Sequence, residues 1–514
     1  MQDFVHLHGQ YSILDGQASI PRLVDKAIAN GMRGMALTDH GNMFGVKEFY
    51  NYVGKKNGKI KDEIKALKKR ISALESGKEE AADPEAEIAA CKAQAAEAEK
   101  KLFKPIIGCE MYVAHRRLSD KEGKPDQSGY HLVVLAKNLK GYHNLIKLVS
   151  KAWTEGYYMR PRTDRAELEK YHEGLIVCSA CLGGEVPRMI RAGRFDAAEE
   201  AVQWYKRVFG DDYYLELQLH KATVPRANHE TYPLQLEVNK HLKEYSQKYG
   251  IKLVCTNDVH FVDEENAEAH DRLICLSTGK ELDDPNRMLY SKQEWFKTKE
   301  EMNALFADVP EALANTADIC DQVEFYSIDH APIMPTFAIP EEFGTEEEYR
   351  KKYTEEDLFN EFTRNEHGEV VMGEDEARAK IEKLGGYDKL YRIKLEADYL
   401  AKLAFDGARK RYGEELSDEV RERLIFELHI MKTMGFPGYF LIVQDFIAAA
   451  REQLGVSVGP GPPVRPWPTA WASRKLTPSS MTCCSSVSST PTASPSPILT
   501  WTSTMTGAAT CSAG

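Results

Sequence analysis

The sequence predicts an α/β protein: a barrel of alternating strands and helices, then a mostly helical region. Three observations carry that prediction. Short apolar runs alternate with helical patterns through residues 1–53 and 104–275. Five polar clusters sit at or beside the ends of apolar runs: His6-Leu7-His8, Thr38-Asp39-His40-Gly41, Glu110 after Ile106-Ile107, His131 before Leu132-Val133-Val134, and Asn257-Asp258-Val259-His260. From about residue 276 to 455 the pattern turns helical and more charged. Strand ends of a barrel point to one rim, so histidines and carboxylates at several ends converge. Such convergence is what a polynuclear metal centre requires.

Taken in order, Phe4-Val5-His6-Leu7-His8 reads as a strand, and 19–30 as a helix opened by Ser19 and Pro21. Gly34 to Thr38 reads as the next strand. Residues 54–103 are rich in Lys, Glu and Ala, with Ile64, Leu67, Ile71 and Leu74 at helical spacing and a break at Asp83-Pro84. They predict a helical hairpin inserted between two strands, a solvated protrusion with a partner-binding arm as the alternative. Leu175-Ile176-Val177-Cys178 and Lys252-Leu253-Val254-Cys255 read as buried strands. Leu424 to Leu454 is amphipathic, interrupted by Gly435-Phe436-Pro437-Gly438. The expected domains are 1–275, carrying the 54–103 insertion, then 276–461, then a tail of 462–514.

The bounds are those of an ordinary water-soluble chain. Its 514 residues are 42% hydrophobic and 28% charged, with a net charge of −12. No global basic field advertises nucleic acid, although a local basic groove would suffice. No apolar run approaches a membrane span, and the N-terminus lacks a signal-peptide pattern. Ten cysteines without framework spacing fit a reducing cytoplasm, so the expected location is cytoplasmic, with no membrane partner.

Taken singly, the site candidates are weak, because any His-x-His on a strand shares one face. Their combination is far more specific. Cys178-Ser179-Ala180-Cys181 has redox spacing, but Cys178 falls inside an apolar run and reads as core. Asp39 reads as orienting its neighbour or capping a helix. His143 and His270 lie in helical patterns and read as surface or packing residues.

The clusters resemble the polymerase and histidinol phosphatase (PHP) domain family. The extended start, His6 to Gly16, resembles the form found in bacterial C-family replicative polymerases, the DNA polymerase III alpha subunits. Ala36 to Gly45, Cys181-Leu182-Gly183-Gly184-Glu185 and Gly435 to Val443 carry the same resemblance, and the last is polymerase-specific. It covers residues 1–461 apart from the insertion. It implies a PHP-type distorted (β/α)7 barrel, followed by a mostly helical, partial polymerase palm region. It also implies a trinuclear site: His6, His8, Glu110 and Asp258 on one metal; Glu110, His131 and Cys181 on a second; Asp15, His40 and His260 on a third. Two or three divalent ions, Zn or Mn by the imidazole and thiolate ligands, would serve phosphodiester hydrolysis. The family further implies a primer-template and deoxynucleoside triphosphates as substrates, and a proofreading exonuclease subunit docked on the PHP domain.

The polymerase centre is where the sequence departs from the family. Val458-Gly459-Pro460-Gly461 begins the family's triphosphate-binding glycine loop, of which Gly459, Pro460 and Gly461 are the remnant. Pro462-Pro463 then replaces its continuation. The last 53 residues contain no Asp and no Glu, so the aspartates that hold two Mg ions are missing. Ser, Thr and Pro dominate there, alongside half of the six tryptophans, a mixture unlike a natural linker. Reading one base out of frame, Trp467-Pro468 forces an Ala codon and Trp471-Ala472 a Gly codon. Trp501-Thr502 and Met505-Thr506 each force Asp. The expectation is a frameshift near codon 462, a disordered non-native tail, and a fragment inactive as a DNA-directed DNA polymerase. The alternatives are a stand-alone PHP phosphoesterase and a non-catalytic PHP scaffold.

Overall fold

A computed structural model describes residues 6–13, 15–76, 83–330 and 335–455. The expected disordered tail and the Gly459-Pro460-Gly461 remnant lie outside the described residues, as do Phe4 and Val5. The chain forms two compact units, the first ending at His330 and the second beginning at Ala331.

Seven strands build one mixed sheet in the first unit: β1 (Gly34–Leu37), β2 (Lys104–Ala114), β3 (Gly129–Ala136), β4 (Arg162–Thr163), β5 (Leu175–Cys178), β6 (Tyr213–Leu217) and β7 (Lys252–Cys255). Their order is β1-β2-β3-β5-β6-β7, with β4 paired to β2. β3 runs antiparallel to both its neighbours, and the other pairings are parallel. The curled sheet is a distorted barrel of the expected class, with one reversed strand. The segment at residues 6–9 bridges its two edges. Leu7 O accepts from Thr38 N, just beyond β1, while His8 N donates to Val259 O, beyond β7. The expected strand there appears only as isolated bridges at Leu7 and Gly9.

Side-chain alternation explains the interior. Ala36, Ile106, Val133, Leu135, Ile176, Cys178, Tyr214 and Val254 form one buried cluster. On the same parity, further along the strands or just past their ends, stand His40, Glu110, His131, Glu216 and Asp258. The barrel is thus apolar at its base and polar at its rim. Helix Pro310–Gln322 closes the base through Ile319 and Cys320, with Val323 just after it, all in that same cluster.

Helices Gly58–Glu75 and Pro84–Lys100 pack on each other between β1 and β2, in the span read as a helical insertion. Asp83 caps the second, accepting from Ala86 N at 3.1 Å. The compact unit extends past the expected boundary at residue 275. Residues 276–330 supply the base-plugging helix and the segment around Phe296, which is fully buried among Leu7, Leu37 and Val259. Apolar surface needed to finish the barrel is encoded after its last strand, which is why strand–helix rhythm alone ends too early.

The second unit is helical. Helices Glu355–Thr363, Glu374–Leu384 and Gly386–Tyr412 bury Leu358, Phe362, Ile381 and Leu390 together. Asp418–Thr433 and Pro437–Glu452 follow, separated at Gly435, whose φ of 81° suits glycine.

Candidate metal centre

The nine expected ligands collect at the polar rim. His6, His8, Glu110 and Asp258 offer ligand atoms all within 4.8 Å of one another, as do His40, Glu110 and His131, and His8, His40 and His260. Asp15 Oδ2 lies 3.3 Å from His40 Nε2 and 3.9 Å from His260 Nε2. Cys181 Sγ lies 3.6 Å from His131 Nδ1. Glu110 stands at the middle, with Oε2 2.8 Å from His6 Nε2 and 3.2 Å from His8 Nε2. Its other oxygen faces His131 and His40. The groupings expected for the second and third metals differ: His40 stands in place of Cys181 beside Glu110 and His131, and His8 in place of Asp15 beside His40 and His260.

Hydrogen bonding fixes which nitrogens are left for a cation. The His260 Nδ1 proton is directed at the Asp258 carbonyl, 2.7 Å away, so Nε2 carries the lone pair. That nitrogen is buried without a hydrogen-bond partner. Ser12 Oγ donates to Asp39 Oδ1 at 2.9 Å, so it accepts from His8 Nδ1 at 3.3 Å and directs His8 Nε2 inward. Asp39 therefore orients His8 through Ser12, rather than its sequence neighbour. Glu110 Oε1 touches His131 Nδ1 and also faces His40 Nδ1, 3.4 Å away and itself buried without a hydrogen-bond partner. Buried acceptors facing one another cost free energy unless a proton or cation lies between them. The donor set fits divalent metal.

Charge coupling among these side chains points the same way. Burial alone would raise the Asp15, Glu110 and Asp258 carboxyls, but the surrounding imidazoles hold all three well below the usual range. Burial alone would lower His6, yet Glu216 and Glu110 raise it overall. His260 goes the other way, lowered to about 4 by burial and the charge of His8. Burial and the Asp258 and Glu110 charges push the Cys181 thiol up, so Cys181 would ligate as a thiolate only with a cation beside it.

Local backbone conformation presents these groups. Asp258 adopts φ 46° and Ala180, just before Cys181, φ 62°, both costly for residues with a Cβ. At Gly183 a Cβ would come within 3.0 Å of the His131 ring, so glycine lets that loop close on the ligand.

Several functional groups escaped the sequence reading. Glu216, buried in β6, accepts from His6 Nδ1 at 2.8 Å. Its signal was a lone carboxylate inside the apolar run Tyr213-Tyr214-Leu215-Glu216-Leu217. Tyr290 donates to Asp15 Oδ2 at 3.2 Å, and Glu294 O accepts from His260 N at 2.8 Å. Both lie in the region assigned to the next domain. His270 is helical as expected, but packs against His260 with ring centroids 5.7 Å apart. Cys178 is fully buried core.

Comparison with known proteins fits this geometry. The PHP domain profile matches residues 5–220. The profile described as the bacterial DNA polymerase III alpha NTPase domain matches residues 398–462. The DNA polymerase III subunit alpha of Borreliella burgdorferi is 35% identical over 460 residues, 89% of this chain and 31% of the relative. Over the part they share, the chain is similar to the DNA polymerase III alpha subunits. The Thermus aquaticus subunit is 34% identical, covering 89% of this chain and 34% of its own, and the Treponema pallidum subunit 32%, covering 89% and 30%. The chain thus spans about a third of the length of the curated relatives it matches. The second profile match ends at residue 462, where the composition changes. Among the described residues no helix is long and apolar enough to cross a membrane.

Proposed function

We propose that this chain is the PHP-bearing part of a replicative polymerase alpha subunit, and that its rim is a metal-dependent phosphoesterase acting at a DNA 3′ end. One observation carries the reading: His260 Nε2 and His40 Nδ1 are buried without hydrogen-bond partners inside a cluster of ligand groups. His6, His8, Glu110 and Asp258 would hold one ion; Glu110, His131 and Cys181 a second, with His40 adjoining; Asp15, His40 and His260 a third. Zn or Mn suits the imidazole and thiolate donors. Bound ions would supply Lewis acidity and water activation for phosphodiester cleavage. The chain's own residues would orient the ligands: Glu216 through His6, Asp39 and Ser12 through His8, and the Asp258 carbonyl through His260.

The polymerase reading is favoured over a stand-alone phosphoesterase by the match at 398–462. In this proposal 1–330 is the PHP unit, with 54–103 as an insertion. The start of the polymerase region runs from 331 to 461, and 462–514 is a frameshifted tail. Primer-template DNA and deoxynucleoside triphosphates would then be substrates of an in-frame, longer protein working in the cytoplasm. The proofreading exonuclease subunit would dock on the PHP unit. Purified chain loaded with Mn or Zn should release nucleotides from a labelled 3′ end. Chelator and His8→Ala should each abolish that release. Activity surviving both treatments would refute the assignment.

A further inference from the structure

Beside the metal centre, large apolar side chains stand out in solvent. Phe44 is 59% exposed, Trp153 41% and Tyr157 47%. They form a series: the Phe44 and Trp153 rings lie 6.0 Å apart, and Trp153 and Tyr157 are stacked at 5.6 Å with planes 17° apart. Trp153 Nε1 donates to Gly41 O at 2.8 Å, one residue from His40. The indole's one donor is therefore used, and the ring surface left exposed beyond Tyr157 is what remains to be offered.

The loop that carries Tyr157 is built to stay in place. Arg162 is fully buried beneath it. Its guanidinium donates to Gly156 O at 3.0 Å, Asp120 O at 2.9 Å and Leu118 O at 3.1 Å. A Cβ at Gly156 would lie 1.9 Å from Arg162 O, so the loop closes tightly on its anchor. Arg160, on the same loop, sits 5.9 Å from the Tyr112 ring. Tyr112 in turn packs edge-on to His131 at 5.2 Å and lies 6.3 Å from His40. Among the described residues no carboxylate pairs with Arg160.

We propose that Phe44, Trp153 and Tyr157, with Arg160 over Tyr112 beside the ligand cluster, form a stacking ledge for an unpaired nucleic-acid strand. Successive bases would stack on the aromatic faces, and Arg160 would meet a backbone phosphate next to the one at the ions. The chemistry favours a nucleic acid over a protein partner. Aromatic faces in series with a free guanidinium match bases joined by anionic phosphates. The chain as a whole is acidic, with a net charge of −12, so the local cation is not part of a general anion-attracting surface. This inference rests on the phosphoesterase reading and names its substrate form.

The test is fluorescence anisotropy with labelled oligothymidylate and with a duplex of equal length, using the full chain in chelator so that nothing is cleaved. The single strand should bind better than the duplex. Trp153→Ala should weaken single-strand binding roughly 5- to 150-fold, and Trp153→Phe should retain most of it. Arg160→Gln should lower the salt dependence by about one ion. Metal content of Trp153→Ala, by elemental analysis, should equal that of the unmodified chain, which separates the ledge from damage at His40. Equal binding of strand and duplex, or strand binding untouched by Trp153→Ala, overturns the ledge. So does Trp153→Ala releasing the exonuclease subunit while strand binding is unchanged. Ledge-dependent strand binding without any metal-dependent cleavage would sustain the ledge and sink the phosphoesterase reading instead.

Discussion

Replacing Glu216 by glutamine should loosen the metal centre without removing a single ligand. Glu216 Oε1 accepts from three donors: His6 Nδ1 at 2.8 Å, Gln218 Nε2 at 3.0 Å and the Thr256 hydroxyl. Both Glu216 and His6 are shut off from solvent. A carboxylate there keeps the His6 proton on Nδ1 and makes Nε2 a stronger donor to a cation. The amide of Glu216→Gln keeps the shape but removes the charge. It also puts an NH2 where Oε2 is buried without a partner. Losing such an outer partner costs about 10- to 100-fold in metal affinity, which is about 1.4 to 2.7 kcal/mol. The stranded donor should cost the metal-free protein about 1–3 kcal/mol as well. Competition against a chromophoric chelator reads the first number, and urea unfolding of the metal-free protein reads the second. Unchanged metal affinity in a folded Glu216→Gln protein would refute the tautomer argument.

Asp258→Ala should lose at least one metal ion per chain by elemental analysis, and undiminished content would remove Asp258 from the ligand set. Asp271 and Arg287 form a buried two-bond pair at 2.6 and 2.7 Å, so Asp271→Ala should destabilise the first unit by about 3–5 kcal/mol; an unchanged unfolding midpoint would contradict it. Burial lowers the Lys297 ammonium to about 8, below its unfolded value, so its charged form opposes folding beneath that pH. Relative to Lys297→Met, the unmodified protein should therefore gain up to about 3 kcal/mol as pH rises from 8 to about 10.4, and a flat difference would refute this. The 514-residue protein should extend no primer, whereas restoring the reading frame near codon 462 should give an alternating Asp run and a longer polymerase; primer extension by the short protein would refute its inactivity, and genomic DNA without such an open frame would refute the frameshift.

The barrel was legible because its strands are buried on both faces and read as unbroken apolar runs, such as Leu175 to Cys178. His40, Glu110 and Asp258, expected as ligands from the family motifs, share the interior parity of Ala36, Ile106 and Val254, which is why they meet at one rim. Glu216 obeys the same parity but belongs to no motif, and so it passed as an ordinary strand residue. Tyr290 and Glu294 were hidden for another reason. They return to the rim from a segment without strand–helix rhythm, and only tertiary packing against Phe296 and Leu7 brings them there. Similarly, nothing in the spacing of Phe44, Trp153 and Tyr157 foretold that their rings would align, since that depends on how Arg162 folds the loop beneath them.

The segment at residues 6–9 both joins the two sheet edges and carries His6 and His8. His8 and Asp258 are 250 positions apart in sequence yet 3.1 Å apart in space. A cation held by both would therefore act as a clasp on a very long loop, whose closure is entropically costly without it. Stripping the ions should free the first residues of the chain before it disturbs the helices around the barrel. Limited proteolysis near the N-terminus should then report metal occupancy more sensitively than any global melting curve.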